Sequence, residues 1–510
     1  MGRCAAWRPA PAKLVVATAA AGPCDRGIAA AVAAAPPGSP VTAHPSGTLA
    51  ATILGSSLAF IDGSVVNVGL PAIERSLGAD GASIAWLINA YLLPLGALVL
   101  LGGVAGDRWG RRRVFLAGML VFTLASLACA AAPTFAWLLA ARVAQGVGAA
   151  FLMPSSLALI GAAFSGEARG RAVGTWAAAG AITGALGPLA GGWLIDTIGW
   201  RSIFVINLPI AIAATGLAWR YVAESRSGDA APLDAGGAML ATAGLALLTI
   251  GLTLLAGHGG AAVATGSAPP AATTTPATIA VGAGVALLLG FVALEARLGA
   301  KAMMPLALFG GRTFVGVSLL TLFLYAALGG MLVLLPYVLI ESGAYSSAAA
   351  GAALLPLPIA MGLGSRAAGR LAERSGARTL LTVGPCVVAA GFALFLRFEP
   401  GALDYASVVL PALAVIACGL TLSVAPLTAT VMGAVDAAHV GSASGVNNAV
   451  ARVAGLLATA LLGLVLAGGA ASPAFVARFH AAAVVGALLS LAAGAAAFAL
   501  VRSQQVRAPA

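Results

Sequence analysis

Two ionisable residues lie where the chain is otherwise apolar. Asp62 falls in LAFIDGSVVNVGL and Arg142 in LLAARVAQGVGAA. A charged side chain at mid-bilayer costs about 2.5–3.5 kcal/mol on insertion scales, so it is rare unless it has a use. Counted from the ends of their apolar runs, both fall roughly 10–12 Å below the outer surface, in one layer. A carboxyl that trades protons near neutrality must be held above its ordinary range of about 3.9, which burial favours and an adjacent guanidinium opposes. That conflict describes a switch in which a proton and a cationic substrate compete for one carboxylate. The plainer alternative is a static ion pair that locks two helices.

The remaining candidates are polar groups within or near the apolar runs: Asn67, Asn89, Tyr91, Gln145, Asn207, Tyr325, Tyr337, Asn447 and Asn448. Some are expected to face a substrate cavity and others to bridge helices by hydrogen bonds. Metal chemistry finds no support. His44, His258, His439 and His480 have no partner at ligand spacing, and the five cysteines form no CxxC or CxxxC pair. No GxxxxGK[ST] phosphate loop is present, so ATP is not the expected energy source. No cofactor is implied.

The elements that must position these residues follow from composition. Of 510 residues, 60% are hydrophobic and 8% charged, against a charged fraction of about 25% in soluble domains. Mean hydropathy is +1.01. A soluble enzyme cannot meet water with so little polar surface, and a disordered scaffold needs low hydrophobicity. Long continuous apolar runs, not alternating ten-residue segments, exclude a transmembrane barrel. The fold class is an all-α integral membrane protein. The net charge of +11 reads as a topological signal and not as a nucleic-acid surface, because the basic residues are scattered through a polytopic chain.

Runs of about 20 apolar residues suit a bilayer core of about 30 Å. Fourteen are found, near 49–70, 84–105, 113–132, 135–156, 172–195, 203–220, 233–256, 277–296, 313–337, 348–365, 379–396, 404–430, 447–468 and 479–501. With the N-terminus inside, only Arg75, Arg201, Arg397 and Arg478 of the 27 basic residues fall outside, and Arg142 and Arg452 fall within runs. All the others are cytoplasmic, which places both termini there. Residues 1–48 read as a disordered tail, 502–510 as a cytoplasmic tail, and 257–276 as an uncharged external linker.

An internal repeat sets the architecture. GVAGDRWGRR (103–112) and GRLAERSGAR (369–378) share G-x-x-[GA]-[DE]-R-x-G-x-R. A second echo, G-x-A-x-G, recurs at Gly170 and Gly441 with nearly the same offset. Two pseudo-symmetric six-helix bundles, 49–220 and 313–501, joined by a 221–312 segment carrying two inserted helices, account for both. The inserted pair is poor in polar residues and reads as peripheral. In the repeated loops, Asp107, Arg108, Gly110 and Arg111, and Glu373, Arg374, Gly376 and Arg378, are candidates for a charged clasp that closes the cytoplasmic face. A solvated topogenic loop is the alternative.

With these motifs in view, the chain resembles the fourteen-helix drug:proton antiporter branch of the major facilitator superfamily. The resemblance spans about residues 50 to 500. GVAGDRWGRR is similar to the superfamily's signature loop, with Ala105 in its leucine position. LAARVAQGVGAA (139–150) is similar to the fourth-helix signature. GAITGALGPLAGG (180–192) resembles the antiporter signature of the fifth helix, IDGSVVNVGLP (61–71) that of the first, and WRSIFVINLP (200–209) is a further mark. The resemblance implies that the first and fourth helices line the central cavity. It also implies that Gly184, Gly187, Pro188, Gly191 and Gly192 govern antiport direction and the seal between the halves. Small residues there also suit ordinary close helix packing.

The function expected on these grounds is secondary export of hydrophobic or amphipathic small molecules across the cytoplasmic membrane in exchange for protons, by a monomer. A dedicated exporter of one endogenous metabolite or antibiotic is the nearest alternative. A membrane-embedded enzyme or sensor would need clustered catalytic residues or a soluble domain, and neither is found. Apart from Asp62 no acid lies well inside a run, so monovalent, zwitterionic or neutral substrates fit better than divalent cations.

Overall fold

The computed structural model describes residues 44–79, 81–226, 234–265, 271–299, 302, 304–399, 404–435, 440–466 and 475–502. Among the described residues, fourteen helical spans cross the bundle. In the first half these are α1 Pro45–Leu77, α2 Gly81–Trp109, α3 Arg111–Ala130, α4 Phe135–Ala163, α5 Gly166–Thr197 and α6 Ser202–Tyr221. The inserted pair is α7 Ala235–Thr265 and α8 Ala271–Leu298. The second half holds α9 Arg312–Gly343, α10 Ser347–Ala372, α11 Ala377–Leu394, α12 Tyr405–Gly433, α13 Ala443–Leu466 and α14 Phe475–Leu500. Thirteen of these are straight enough, long enough and apolar enough to cross a membrane; α2 is the fourteenth, bent by 53° between Ala85–Val99 and Leu101–Trp109. Pro94, which cannot donate to the preceding turn, and Gly102 and Gly103 flank that bend.

Boundaries differ from the sequence reading at informative places. Pro45 opens α1 four residues early, because a proline at the first helical turn loses no intrahelical bond. The linker expected over 257–276 is largely helical, since α7 runs to Thr265 and α8 starts at Ala271. Ala, Gly and Thr without charge do not stop a helix. Of the tail expected over 1–48, residues 1–43 lie outside the described residues, as do 503–510, and 45–48 are helical.

The two halves repeat at the level of packing. In the first, Gly118 on α3 meets Gly148 on α4, and a Cβ on Gly118 would lie 2.9 Å from the Gly148 carbonyl oxygen. In the second, Gly384 on α11 meets Gly419 on α12, and a Cβ on Gly419 would lie 2.6 Å from the Gly384 carbonyl oxygen. Gly118 and Gly384 are separated by the same offset as the two repeated loops. Membrane helices gain contact by letting backbones approach, and these glycines fix the crossing points.

Large apolar side chains cover the outside of the bundle, among them Leu120, Ile182, Leu289 and Leu363. Such a surface suits lipid and not water. Exposed Trp109 and Trp219 mark the level of the face that carries the start of α1 and the end of α14. Exposed Trp137 and Trp193 mark the opposite level, called here the far face. Tryptophan belts at two levels are the signature of two membrane–water interfaces.

Candidate functional site

Asp62 sits on the stripe Leu58, Asp62, Val65, Val66, Gly69 of α1, every member of which is buried. On α4, Leu138, Arg142, Gln145 and Ala149 form the matching stripe. Residues three and four apart share a helix face, so each helix delivers its polar groups into the same interior. Arg142 Nη1 donates to Asp62 Oδ2, closing a salt bridge in which the side chains are 1% and 0% exposed. The same nitrogen donates to Gln145 Oε1 at 2.8 Å, and Arg142 Nε donates to the Leu87 carbonyl at 3.3 Å. Gln145 Nε2 returns a hydrogen bond to Asp62 Oδ1 at 2.8 Å and another to Ser126 Oγ at 2.8 Å. Asn207 on α6 donates to Asp62 Oδ1 at 3.4 Å and to Ser126 Oγ at 3.3 Å. The guanidinium also lies 4.4 Å from the centre of the Tyr91 ring, a cation–π contact.

Five helices of the first half thus converge on one carboxylate. A buried ion pair is tolerated only if its remaining donors and acceptors are met. Here they nearly all are; among the described residues Asn207 Oδ1 is buried and has no partner. The resemblance puts Asp62 and Arg142 on the cavity wall. In this structure both are closed off inside the half-bundle. Of the other cavity candidates, Tyr91, Gln145 and Asn207 belong to this network.

Asn89 is elsewhere. Its amide nitrogen donates to Thr253 on α7 at 3.5 Å, and its oxygen accepts from Thr459 on α13. Asn447 accepts from Thr321 at 2.7 Å, joining α13 to α9. Asn67 and Tyr325 are half-buried. Asn89 therefore corrects the reading of the insert: α7 is not peripheral, because it packs against α2 and carries buried Thr249 and Thr253. Only α8 fits that description, with Ile279, Val285 and Leu289 exposed.

The fifth-helix glycines divide between two neighbours. A Cβ on Gly187 or Gly191 would strike Ser64 or Val65 of α1, and one on Gly192 would strike the Ser347 carbonyl of α10. Gly351 of α10 in turn faces the Pro188 carbonyl. Gly184 is looser, with its nearest atom at 4.0 Å. Around this contact the halves are tied at the far face. Asp196 accepts from the backbone N–H of Ser347 and Ala348 at 3.1 and 2.9 Å. Arg75 pairs with Glu341 at 3.2 Å, and Tyr337 donates to Glu74 at 3.1 Å. Asp196 and Glu341 thus both join the halves.

At the opposite face, Arg111 donates through Nε and Nη2 to Asp107 Oδ1 at 2.9 and 2.7 Å. Glu224, just past α6, accepts from the backbone N–H of Arg112 and Arg113 at 3.1 and 3.2 Å, capping α3. Gly110 has φ of 109°, and a Cβ there would lie 2.6 Å from Glu224 Oε1, so two constraints require glycine. Arg108 is exposed. In the second loop Gly376 has φ of 81° and Arg378 donates to the Phe498 carbonyl at 2.6 Å. Arg374 is exposed, and the side chain of Glu373 lies outside the described residues.

Sequence reasoning missed Ser126, Glu224, Glu74, Thr253 and Thr459. Ser126 and Cys129 are three apart in an apolar run, which marks a polar face of α3. The others are acids at run ends or threonines, whose partners are far away in sequence and leave no local sign. Glu295 was passed over at the end of its run, yet it is fully buried and accepts from the Met304 N–H at 2.6 Å.

Comparison with known proteins agrees with this architecture. A family model described as Major Facilitator Superfamily matches residues 52–459. Multidrug resistance protein Stp of Mycobacterium tuberculosis (strain CDC 1551 / Oshkosh) is 34% identical over 421 residues, covering 82% of this chain and 75% of that protein. Puromycin resistance protein pur8 of Streptomyces alboniger is 35% identical, covering 81% and 80%. Cephamycin export protein CmcT of Amycolatopsis lactamdurans is 34% identical, covering 84% and 87%. Among solved structures, the nucleoside transporter NupG aligns with a TM-score of 0.61 at 13% identity, covering 88% of this chain and 99% of that one. A D-xylose-proton symporter gives 0.60 at 15% identity, covering 90% and 98%. These two likenesses concern the fold alone. With its two six-helix halves, its signature loops and a family match over most of its length, the chain belongs to the major facilitator superfamily and is a transporter, not an enzyme.

Proposed function

We propose that the protein exports hydrophobic or amphipathic small molecules, drugs or antibiotics among them, across the cytoplasmic membrane in exchange for protons. The observation that carries this reading is the buried Asp62 carboxylate, held by Arg142, Gln145 and Asn207 in the interior of one half. The names of the relatives, which concern multidrug resistance, puromycin resistance and cephamycin export, supply the substrate class.

The arrangement suits proton exchange. As a carboxylate, Asp62 accepts three side-chain hydrogen bonds and balances Arg142. Once protonated it turns donor and releases the guanidinium from its ion pair. Asn207 Oδ1 is the buried acceptor without a partner, and rotation of that weakly held amide lets it receive the new O–H. Arg142 then seeks another acceptor, which loosens α4 from α1. The distribution of basic residues supports cytoplasmic termini and hence an external far face, and the ties between the halves there support a reading in which that face is closed. One charge moving inward at 100 mV supplies about 2.3 kcal/mol, enough for a severalfold to tens-fold gradient.

The test is proton release from the purified protein on adding puromycin and a panel of other amphipathic drugs, beside Asp62→Asn. Release by the parent and none by the variant is the expected result. Equal drug binding to both without proton release would sink the coupling role and leave a structural ion pair. The narrower reading, one endogenous metabolite as substrate, draws on the relative named for cephamycin export; a parent protein that answers one compound of the panel and no other would favour it.

A further inference from the structure

Arg478 stands one turn inside α14 at its far-face end. Arg478 is 9% exposed, and its Nε, Nη1 and Nη2 are all sheltered and have no hydrogen-bond partner among the described residues. Its neighbour His480 is engaged elsewhere, with Nε2 at 2.9 Å from the Phe398 carbonyl oxygen. A buried guanidinium without a counter-charge is among the most costly arrangements a fold can hold. It also lines a cavity of about 580 Å³ between α9, α13 and α14, a size typical of small-molecule sites.

The rest of that cavity is apolar. Phe323, Met331, Leu457, Leu461, Phe479 and Leu489 are among its walls. From Arg478 to Leu489 the wall along α14 extends about 16 Å, the rise of a helix over that span. The cavity opens between α13 and α14 on the outside of the bundle, where Leu461, Leu464 and Val485 are exposed. Water is a poor occupant, because the walls offer it no polar partners beyond the arginine. One end of the cavity asks for an anion and the remainder for hydrocarbon.

We propose that this cavity binds an amphiphile with a single anionic head, carboxylate or phosphate, gripped by Arg478, and an apolar chain laid against α13 and α14. The planar guanidinium presents paired donors that match either head group. The site lies wholly within the second half and shares no residue with the Asp62 network of the first.

The experiment uses the full chain in phosphatidylcholine nanodiscs with tritiated dodecanoate. Saturable binding is expected, weakened at least tenfold by Arg478→Gln and abolished by Leu461→Trp, which fills the cavity from its exposed rim. Asp62→Asn should bind as the parent does, which separates this site from the proposed proton site. Should Arg478→Gln fail to give a single gel-filtration peak, the Leu461→Trp protein carries the test. Binding unaltered by these substitutions, or equal displacement by dodecyltrimethylammonium, would overturn the proposal. Repeating the titration with phosphatidylglycerol in the discs identifies the source. Loss of dodecanoate binding there means that a membrane phospholipid holds the site, and unchanged binding means that a free amphiphile does.

Discussion

Gly192 on α5 lies so close to the Ser347 carbonyl of α10 that no Cβ fits between them. Both backbones belong to the seal between the two halves, and Asp196 one turn further along α5 caps the same stretch of α10. Gly192→Val is therefore expected to hold the far face open. Half-buried Asn67, replaced by cysteine in the same protein, should react faster with a membrane-impermeant maleimide added from outside. Drug export in everted vesicles should fall at least tenfold with expression unchanged. Unaltered labelling and transport would show that the seal tolerates the added methyl groups.

The Asp62–Arg142 pair makes a second prediction. Removing one partner of a buried pair leaves the other charge stranded, at about 3–5 kcal/mol. Arg142→Gln should lower the midpoint of thermal unfolding in detergent by several degrees. Asp62→Asn combined with Arg142→Gln should recover most of that loss, because neither charge remains. Transport should not recover in the double variant. Recovery of both stability and drug:proton exchange would mean that the pair only locks α1 to α4.

Much of this was legible in the residues before any coordinates. Fourteen apolar runs, the repeated loops and the two intramembrane charges follow from hydropathy, spacing and the cost of burying ions. What could not be read is pairing between distant positions. Asn89 is unremarkable until Thr459 and Thr253 are found beside it, and nothing in its own neighbourhood names α7. Glu224 follows α6 in a stretch that resembles any polar turn, and its role depends on α3 beginning beside it. Arg478 read as an external basic residue, because a sequence shows that a charge sits near a run's end but not whether the end is roofed over.

Glu224 and Gly110 give the third prediction. Glu224→Ala removes a cap from α3, for which about 0.5–2 kcal/mol is usual. Gly110→Ala should be worse. It forces a side chain into φ of 109° and drives its Cβ against the Glu224 carboxylate. Unfolding midpoints should rank the parent first, then Glu224→Ala, then Gly110→Ala. The double variant should stay near Gly110→Ala, since the backbone conformation, and not the collision alone, sets the penalty.

The last prediction concerns the insert. Asp234 Oδ2 and Glu295 Oε1 converge on the bare Cα of Gly237. Two carboxylates in one sheltered place repel when both are ionised. Glu295→Gln keeps a carbonyl oxygen to accept from the Met304 N–H while removing one of the charges. It should raise the unfolding midpoint. Glu295→Ala, which strands the Met304 N–H and empties the site, should lower it. A Glu295→Gln protein less stable than the parent would mean that the carboxylate is held by attraction, from a cation or a donor group, and not merely tolerated.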